Sequence, residues 1–268
     1  MSVVLQISDT HFGTEQPPVV AALQQLCARE APDVLVLSGD ITQRARNAQF
    51  RAAAAFIAAL PVAVKLITPG NHDIPLFDLA RRVFAPYANY RRAFGDDLEP
   101  RFESSELHIQ CVNTTRPRRH TDGEISPEQV ERVAARLRAA DPRQLRIVVT
   151  HQPVHVISAR DESNLLHGHR EAVRAWSAAG VDLVLGGHIH LPYVRPLRDH
   201  VDALPRSAWA VQAGTAISWR VRGAAPNSVN IIRYDNSATR RCNIEQWDYN
   251  LQSEAFELAL STPIALEI

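Results

Sequence analysis

Short apolar runs in the first 190 residues each end abruptly in a knot of polar side chains, and this punctuation constrains the fold more than any other feature. Val3–Ile7 runs into Ser8-Asp9-Thr10-His11, and Val34–Leu37 into Ser38-Gly39-Asp40. Val62–Ile67 leads to Pro69-Gly70-Asn71-His72-Asp73, Leu145–Thr150 to His151-Gln152-Pro153, and Val181–Leu185 to Gly186-Gly187-His188-Ile189-His190. The runs are short and rich in β-branched residues, as in strands buried on both faces. Helical patterns separate them: Pro17–Arg29, Ala48–Ala59 and Pro127–Ala139. The last opens with Ser126 as N-cap, Pro127 at N1 and Gln129 closing a capping box. Strand–helix–strand alternation predicts an α/β chain with largely parallel strands, in which ligands bind beyond the strands' carboxyl ends. Asp9 to Asp40 and Asp40 to Asn71 are each 31 residues apart, about one βαβ unit. The polar knots therefore converge in space although the sequence scatters them.

After Gly187 the texture changes to shorter strand-like pieces, Trp209–Gln212, Ser228–Tyr234 and Arg241–Trp247. These read as a second, more antiparallel sheet built mostly by residues 191–268, within a single domain over 1–268. Leu107–Val112 is a further strand, with Glu103-Ser104-Ser105-Glu106 as a hairpin turn before it.

Composition removes several function classes. Lys+Arg and Asp+Glu both number 29, and this balance lacks the basic excess of a nucleic-acid or anionic-membrane binder. Lys65 is the only lysine and follows no glycine-rich loop, which excludes a P-loop nucleotide site. Cys27, Cys111 and Cys242 are widely spaced and odd in number, and read as reduced, buried thiols. No apolar run approaches a membrane span, and Asp9 interrupts the N-terminal apolar stretch where a signal peptide would continue. The expected protein is cytoplasmic, with no stable membrane insertion and no nucleic-acid partner.

Asp9, His11, Asp40, Asn71, His151, His188 and His190 form a mixed nitrogen and oxygen donor set that suits Mn, Fe or Zn. Seven donors exceed one four-coordinate ion and fit two ions sharing a carboxylate. Two divalent ions bring +4 and the two aspartates −2, so the centre attracts an anion and can activate water for an in-line displacement. Singly, these pieces are weak: an Asp-x-His at a strand end is ordinarily a cap or a turn. Gly-Asn-His-Asp says more, because burying three polar side chains in a turn is costly unless they are used. All the clusters in this order are a strong joint signal.

Other polar residues divide between the site and the ordinary surface. His108 and His200 read as structural or solvated. His155, His167 and His169 fall in the 152–170 segment, balanced between site rim and surface loop. Arg116, Arg118, Arg119 and His120 follow a strand, where substrate contact weighs about as much as a solvated face. Trp219 and Arg220 are candidates to hold a base and its phosphate, against a packed outer-strand tryptophan.

Taken together the motifs resemble those of the calcineurin-like metallophosphoesterase superfamily: D-x-H, G-D, G-N-H-D/E, H and G-H-x-H, all filled between Asp9 and His190. Gly39-Asp40-Ile41-Thr42 and Pro69-Gly70-Asn71-His72-Asp73 look most like the bacterial class III cyclic-nucleotide phosphodiesterases. The protein phosphatases carry G-D-x-x-D-R-G, whereas Gly39-Asp40-Ile41-Thr42-Gln43-Arg44-Ala45 lacks the second Asp and the last Gly.

The resemblance implies a four-layer αββα sandwich with two divalent or mixed-valence ions at the sheet edge. One ion takes Asp9, His11, Asp40 and His190. The other takes Asp40, Asn71, His151 and His188. A hydroxide between them attacks phosphorus, His72 contacts phosphate or assists the leaving group, and Asp73 orients His72. It implies a phosphodiesterase for a small nucleotide-like substrate, with cyclic AMP as the family's suggestion and a homodimer as its assembly. The alternative enzyme is a phosphomonoesterase or pyrophosphatase acting on a nucleotide or a lipid-linked phosphate. A non-enzymatic scaffold is disfavoured, because relatives of that kind lose ligands that are all present here.

Overall fold

The computed structural model describes residues 1–267. In chain order the strands are β1 (Ser2–Ile7), β2 (Val34–Ser38), β3 (Val64–Thr68), β4 (Arg101–Glu103), β5 (Leu107–Cys111), β6 (Leu145–Val149), β7 (Leu183–Gly186), β8 (Tyr193–Pro196), β9 (Trp209–Gln212), β10 (Ser228–Asp235), β11 (Arg241–Asn250) and β12 (Ala255–Ile264). The α-helices are α1 (Pro17–Glu30), α2 (Asn47–Ala59), α3 (Leu79–Phe84), α4 (Ala88–Phe94), α5 (Pro127–Ala139) and α6 (His169–Ala178). Helix α5 begins as its sequence requires, with the Ser126 hydroxyl accepting from the Gln129 amide and the Gln129 side chain reaching back. The hairpin turn at 103–106 joins β4 to β5 in antiparallel register.

Two six-stranded sheets stack face to face, in the orders β12-β11-β10-β1-β2-β3 and β4-β5-β6-β7-β9-β8. Strand parity sorts the side chains. In β2, Val34 and Val36 enter the core between the sheets, meeting Ile109, Ile147 and Val149 of the other sheet. Leu35 and Leu37 point the other way, toward Leu23 and Leu26 of α1 and Phe50 of α2. On the far side, Val148 and Val184 pack under Val133 and Leu137 of α5 and Trp176 of α6. The result is a four-layer αββα sandwich, and it explains why the strands read as unbroken apolar runs. Cys27, Cys111 and Cys242 are free thiols buried in these layers. Among the described residues no helix is long and apolar enough to cross a membrane.

The division between sheets departs from the expected one. The second sheet begins at β4, not after Gly187, and takes β5, β6 and β7 together with β9 in parallel and β8. Strands β10 to β12 return to the first sheet, where β10 lies antiparallel against β1 from Ser2↔Tyr234 to Gln6↔Asn230. The physical reason is that strands buried on both faces carry no periodicity that says which sheet they join. The polar knots after β1, β2 and β3 thus sit on one sheet, and those after β6 and β7 on the other.

Candidate metal centre

At the seam where the two sheets' carboxyl ends meet, tight turns bring the knots together. The Asp9 amide donates to Gly39 O (3.1 Å) and the His11 amide to Asp40 O (3.0 Å), which locks the first two loops in register. Asp9, His11, Asp40, His188 and His190 all have positive φ, between 42° and 74°. Non-glycine residues seldom accept this conformation, and such strain concentrates at functional sites. Gly70 is needed for space: a Cβ there would lie 2.1 Å from the Asp40 backbone nitrogen. Gly70→Ala should lower stability by about 1–3 kcal/mol through overpacking and loosen metal binding, checked by denaturant unfolding and metal analysis. An unchanged midpoint with full metal content would show that the Asp40 turn tolerates the wedge.

The donor atoms fall into two groups that share Asp40. Asp9, His11, Asp40 and His190 present atoms within 4.8 Å of one another, as do Asp40, His151 and His188. Asn71 joins the second group, its Oδ1 lying 3.2 Å from His151 Nε2, which is itself 3.2 Å from Asp40 Oδ1. His190 Nε2 is 3.3 Å from Asp9 Oδ1 and 3.1 Å from His11 Nε2. Backbone carbonyls set the tautomers. His151 Nδ1 donates to Ser38 O (2.8 Å) and His190 Nδ1 to Arg220 O (2.5 Å), so the Nε2 lone pairs of both face inward.

Charge and burial fit this donor set to cations. Asp9, Asp40, His11 and His151 are buried. Burial pushes the Asp9 carboxyl up, but His190 pulls it down to about 2. Burial works against Asp40 too, yet His151 and His72 hold it well below the usual carboxylate range. His11 is lowered to about 3 by burial, and His188 to about 4 by burial and by His151. Two buried carboxylates charge imidazoles beside them: against the cost of burial, Asp40 raises His151 to about 9 and Asp9 raises His190, and a divalent cation at the same atoms would replace those protons.

His72 belongs to neither group. Its Nδ1 donates to Gln43 O (3.0 Å), leaving Nε2 as an acceptor 3.3 Å from Arg220 Nη1. Its ring meets His11 edge-on at 4.8 Å. The expected orienting contact from Asp73 is absent. The Asp73 carboxylate is turned inward and accepts from the amides of Ile41 (3.0 Å), Thr42 (2.8 Å) and Gly70 (2.9 Å) and from the Thr42 hydroxyl (2.9 Å). It clips the second and third loops together, and burial and the nearby Asp40 charge raise it to about 6. Gln43 orients His72 instead.

An open cleft of about 600 Å³ lies over the centre, bordered by His72, Thr121, Asp161, Asn164, Trp219 and Arg220 among others. Trp219 is 64% exposed, so it is not a packed strand residue. Arg220 reaches Gln43 Oε1 at 2.9 Å, and Arg222 pairs with Asp161 at 2.8 Å. The arginine cluster lies outside this cleft and is engaged in its own loop. Arg118 and Arg119 both pair with Glu124, and Arg116 donates to the Asn113 and Thr115 carbonyls and to Gln129. His120 borders a much smaller hollow beside His72. Gln43, Asp161, Asn164 and Thr121 were not singled out in the sequence. Only Gln43 had a visible signal, since it stands where the protein phosphatases carry their second Asp.

The fold and the paired donor groups define a metal-dependent phosphoester hydrolase. Residues 2–192 match the family model described as calcineurin-like phosphoesterase, and the chain belongs to that family. It is 27% identical over 208 residues to the glycerophosphodiester phosphodiesterase GpdQ of Enterobacter lignolyticus, with 70% of each chain covered. It is 24% identical over 204 residues to a probable cyclic nucleotide phosphodiesterase of Synechococcus, covering 72% of this chain and 74% of that one. A purple acid phosphatase from yellow lupin seeds superposes with a TM-score of 0.73 at 16% identity, over 98% of this chain. The chain spans about half the length of that plant protein, 53%.

Proposed function

We propose that the protein hydrolyses the phosphodiester bond of a small nucleotide-like substrate, with cyclic AMP as the first compound to test. The observation that carries this reading is the pairing of Arg220, which has no carboxylate partner among the described residues and is held by Gln43, with the exposed indole of Trp219 beside the metal-binding groups. Bound ions supply Lewis acidity toward the phosphoryl oxygens and an activated water. Asp9, His11, Asp40 and His190 would hold one ion, and Asp40, Asn71, His151 and His188 the other.

The remaining residues bind and orient. Arg222 is neutralised by Asp161, so Arg220 is the cleft cation left to meet substrate charge, and a diester carries only one negative charge. His72, held through Nδ1 by Gln43 O, directs Nε2 at the cleft, where its protonated form can donate to a phosphoryl or leaving-group oxygen. Trp219 supplies a flat apolar face at the rim for a base. The names of the two curated relatives, both phosphodiesterases, support the same class.

The test is a hydrolysis comparison with Mn-loaded enzyme. Bis-p-nitrophenyl phosphate should show the higher kcat/KM, and p-nitrophenyl phosphate the lower; the reverse order would favour a phosphomonoesterase. Trp219→Ala should raise KM for cyclic AMP about tenfold, from a stacking contribution of about 1–3 kcal/mol, while leaving p-nitrophenyl phosphate unchanged. Equal effects on both substrates would remove the base-stacking role.

A further inference from the structure

Helix α3 and the loop before it turn their apolar side chains to water. Phe77, Leu79, Val83 and Phe84 are 69–86% exposed, and none of the helix's six residues is buried. Leu79 and Val83, four apart, share a face. So short a helix does not persist on its own hydrogen bonds, and an apolar stripe ordinarily holds it by packing against the protein. Asp78 caps this helix by accepting from the Arg81 amide at 3.0 Å, but the stripe lies uncovered. Ten large hydrophobic residues are exposed among the described residues, and four of them fall between Phe77 and Phe84. Scattered singly they would need no explanation; gathered, they mark a surface that meets a partner.

The flank of the patch is cationic. Arg44, Arg46 and Arg81 border a hollow of about 350 Å³ beside Phe77, and Asp78 is its one acidic lining residue. Arg44 lies over the Phe77 ring at 5.7 Å. Asp78 pairs with Arg81 at 3.2 Å, and Arg44 and Arg46 have no carboxylate partner among the described residues. Arg82 donates to the carbonyls of Pro75 and Arg119, which leaves its charge uncompensated. The balance of 29 basic and 29 acidic residues, which argues against an anionic-membrane partner for the chain as a whole, does not hold on this face.

Charge selects the partner. In a two-fold pair built on this patch, the arginines of one copy would face those of the other, an unfavourable arrangement. An anionic surface is attracted instead. The four apolar side chains project from the protein, a form suited to burial at the headgroup–acyl boundary of a bilayer, with guanidiniums on the lipid phosphates. We infer that α3 and the loop at residues 74–78 dock the protein on an anionic phospholipid surface. Phe77 and Phe84 enter the interface, while Arg44, Arg46 and Arg81 meet headgroup phosphates. The attachment is peripheral and reversible. The hollow shares Arg44 and Leu76 with the smaller one beside His72, so docking sets the metal centre close to the bilayer.

Co-sedimentation with vesicles is the test. The protein should bind phosphatidylcholine vesicles containing about 30% phosphatidylglycerol at least about tenfold more tightly than pure phosphatidylcholine vesicles. Phe77→Ser/Phe84→Ser should weaken that binding at least about tenfold, with the unfolding midpoint and bis-p-nitrophenyl phosphate hydrolysis unchanged. Leu258→Ser/Leu260→Ser, at exposed apolar residues on β12, should bind as wild type. Absence of wild-type binding to the anionic vesicles would overturn the proposal, as would equal binding by the phenylalanine variant. A wild-type dimer that this variant dissociates would assign the face to a second copy and overturn it too. Vesicle binding needs no turnover, so its loss and a failure of phosphodiester hydrolysis are read separately.

Discussion

Asp40→Ala should empty both metal positions at once and lower turnover by at least about 10³. No other single change is expected to remove as much metal. Asp40 is the one residue common to the two donor groups, with Oδ1 at 3.2 Å from His151 Nε2 and Oδ2 at 3.8 Å from His11 Nε2. Its removal leaves Asp9 as the only carboxylate donor for two divalent charges. Asp40 Oδ1 also accepts from the His72 amide at 2.8 Å, so alanine releases the third loop as well. Asp40→Asn separates these effects: an amide oxygen can keep the bond to His72 while the charge is lost. Metal analysis after desalting reads the first effect and thermal unfolding the second. If Asp40→Ala retained full metal content and activity, the shared-ligand arrangement would be wrong.

His72→Ala should give the opposite pattern, with metal retained and turnover down by about 10²–10⁴, the usual cost of losing an acid or a charge-stabilising contact. The distinction follows from placement. His72 stands outside both donor groups, anchored through Nδ1 to Gln43 O, and its Nε2 faces Arg220 and the cleft. Asn71, its neighbour in sequence, sits 3.2 Å from His151 Nε2. Asn71→Ala should therefore weaken the ion shared with His151 and His188. Metal content and kcat measured on both variants test the assignment, and metal loss in His72→Ala but not in Asn71→Ala would exchange the two roles.

Much of the site was legible because chemistry of this kind sits at the ends of strands, and strand ends are visible in a chain. Asp9, His11, Asp40, Asn71, His151, His188 and His190 each close or follow an apolar run, and the fold brings them into two adjoining groups. Substrate-facing features were harder to read. A run such as Arg116–Arg119 looks like an anion site until Glu124, five residues beyond it, is seen to pair with all three of its guanidiniums. Trp219 alternated between packed and exposed readings because burial on an irregular segment has no period to betray it. Asp73 was misread for a related reason: adjacency to His72 in sequence does not fix which way a side chain leaves a turn. The sheet assignment failed because it rests on long-range pairing, such as β1 with β10, which leaves no local trace.

That same pairing bears on how the chain must be made. β1 precedes every other described strand, yet one of its two neighbours, β10, begins only at Ser228. During synthesis β1 therefore waits, with one edge uncovered, until strands β2 to β9 and all six α-helices have emerged. An unpaired apolar strand edge is the kind of surface that invites association with other chains. A nascent chain halted before Ser228 would carry every residue of the paired metal groups and still lack the strand that closes the sheet beneath Asp9 and His11.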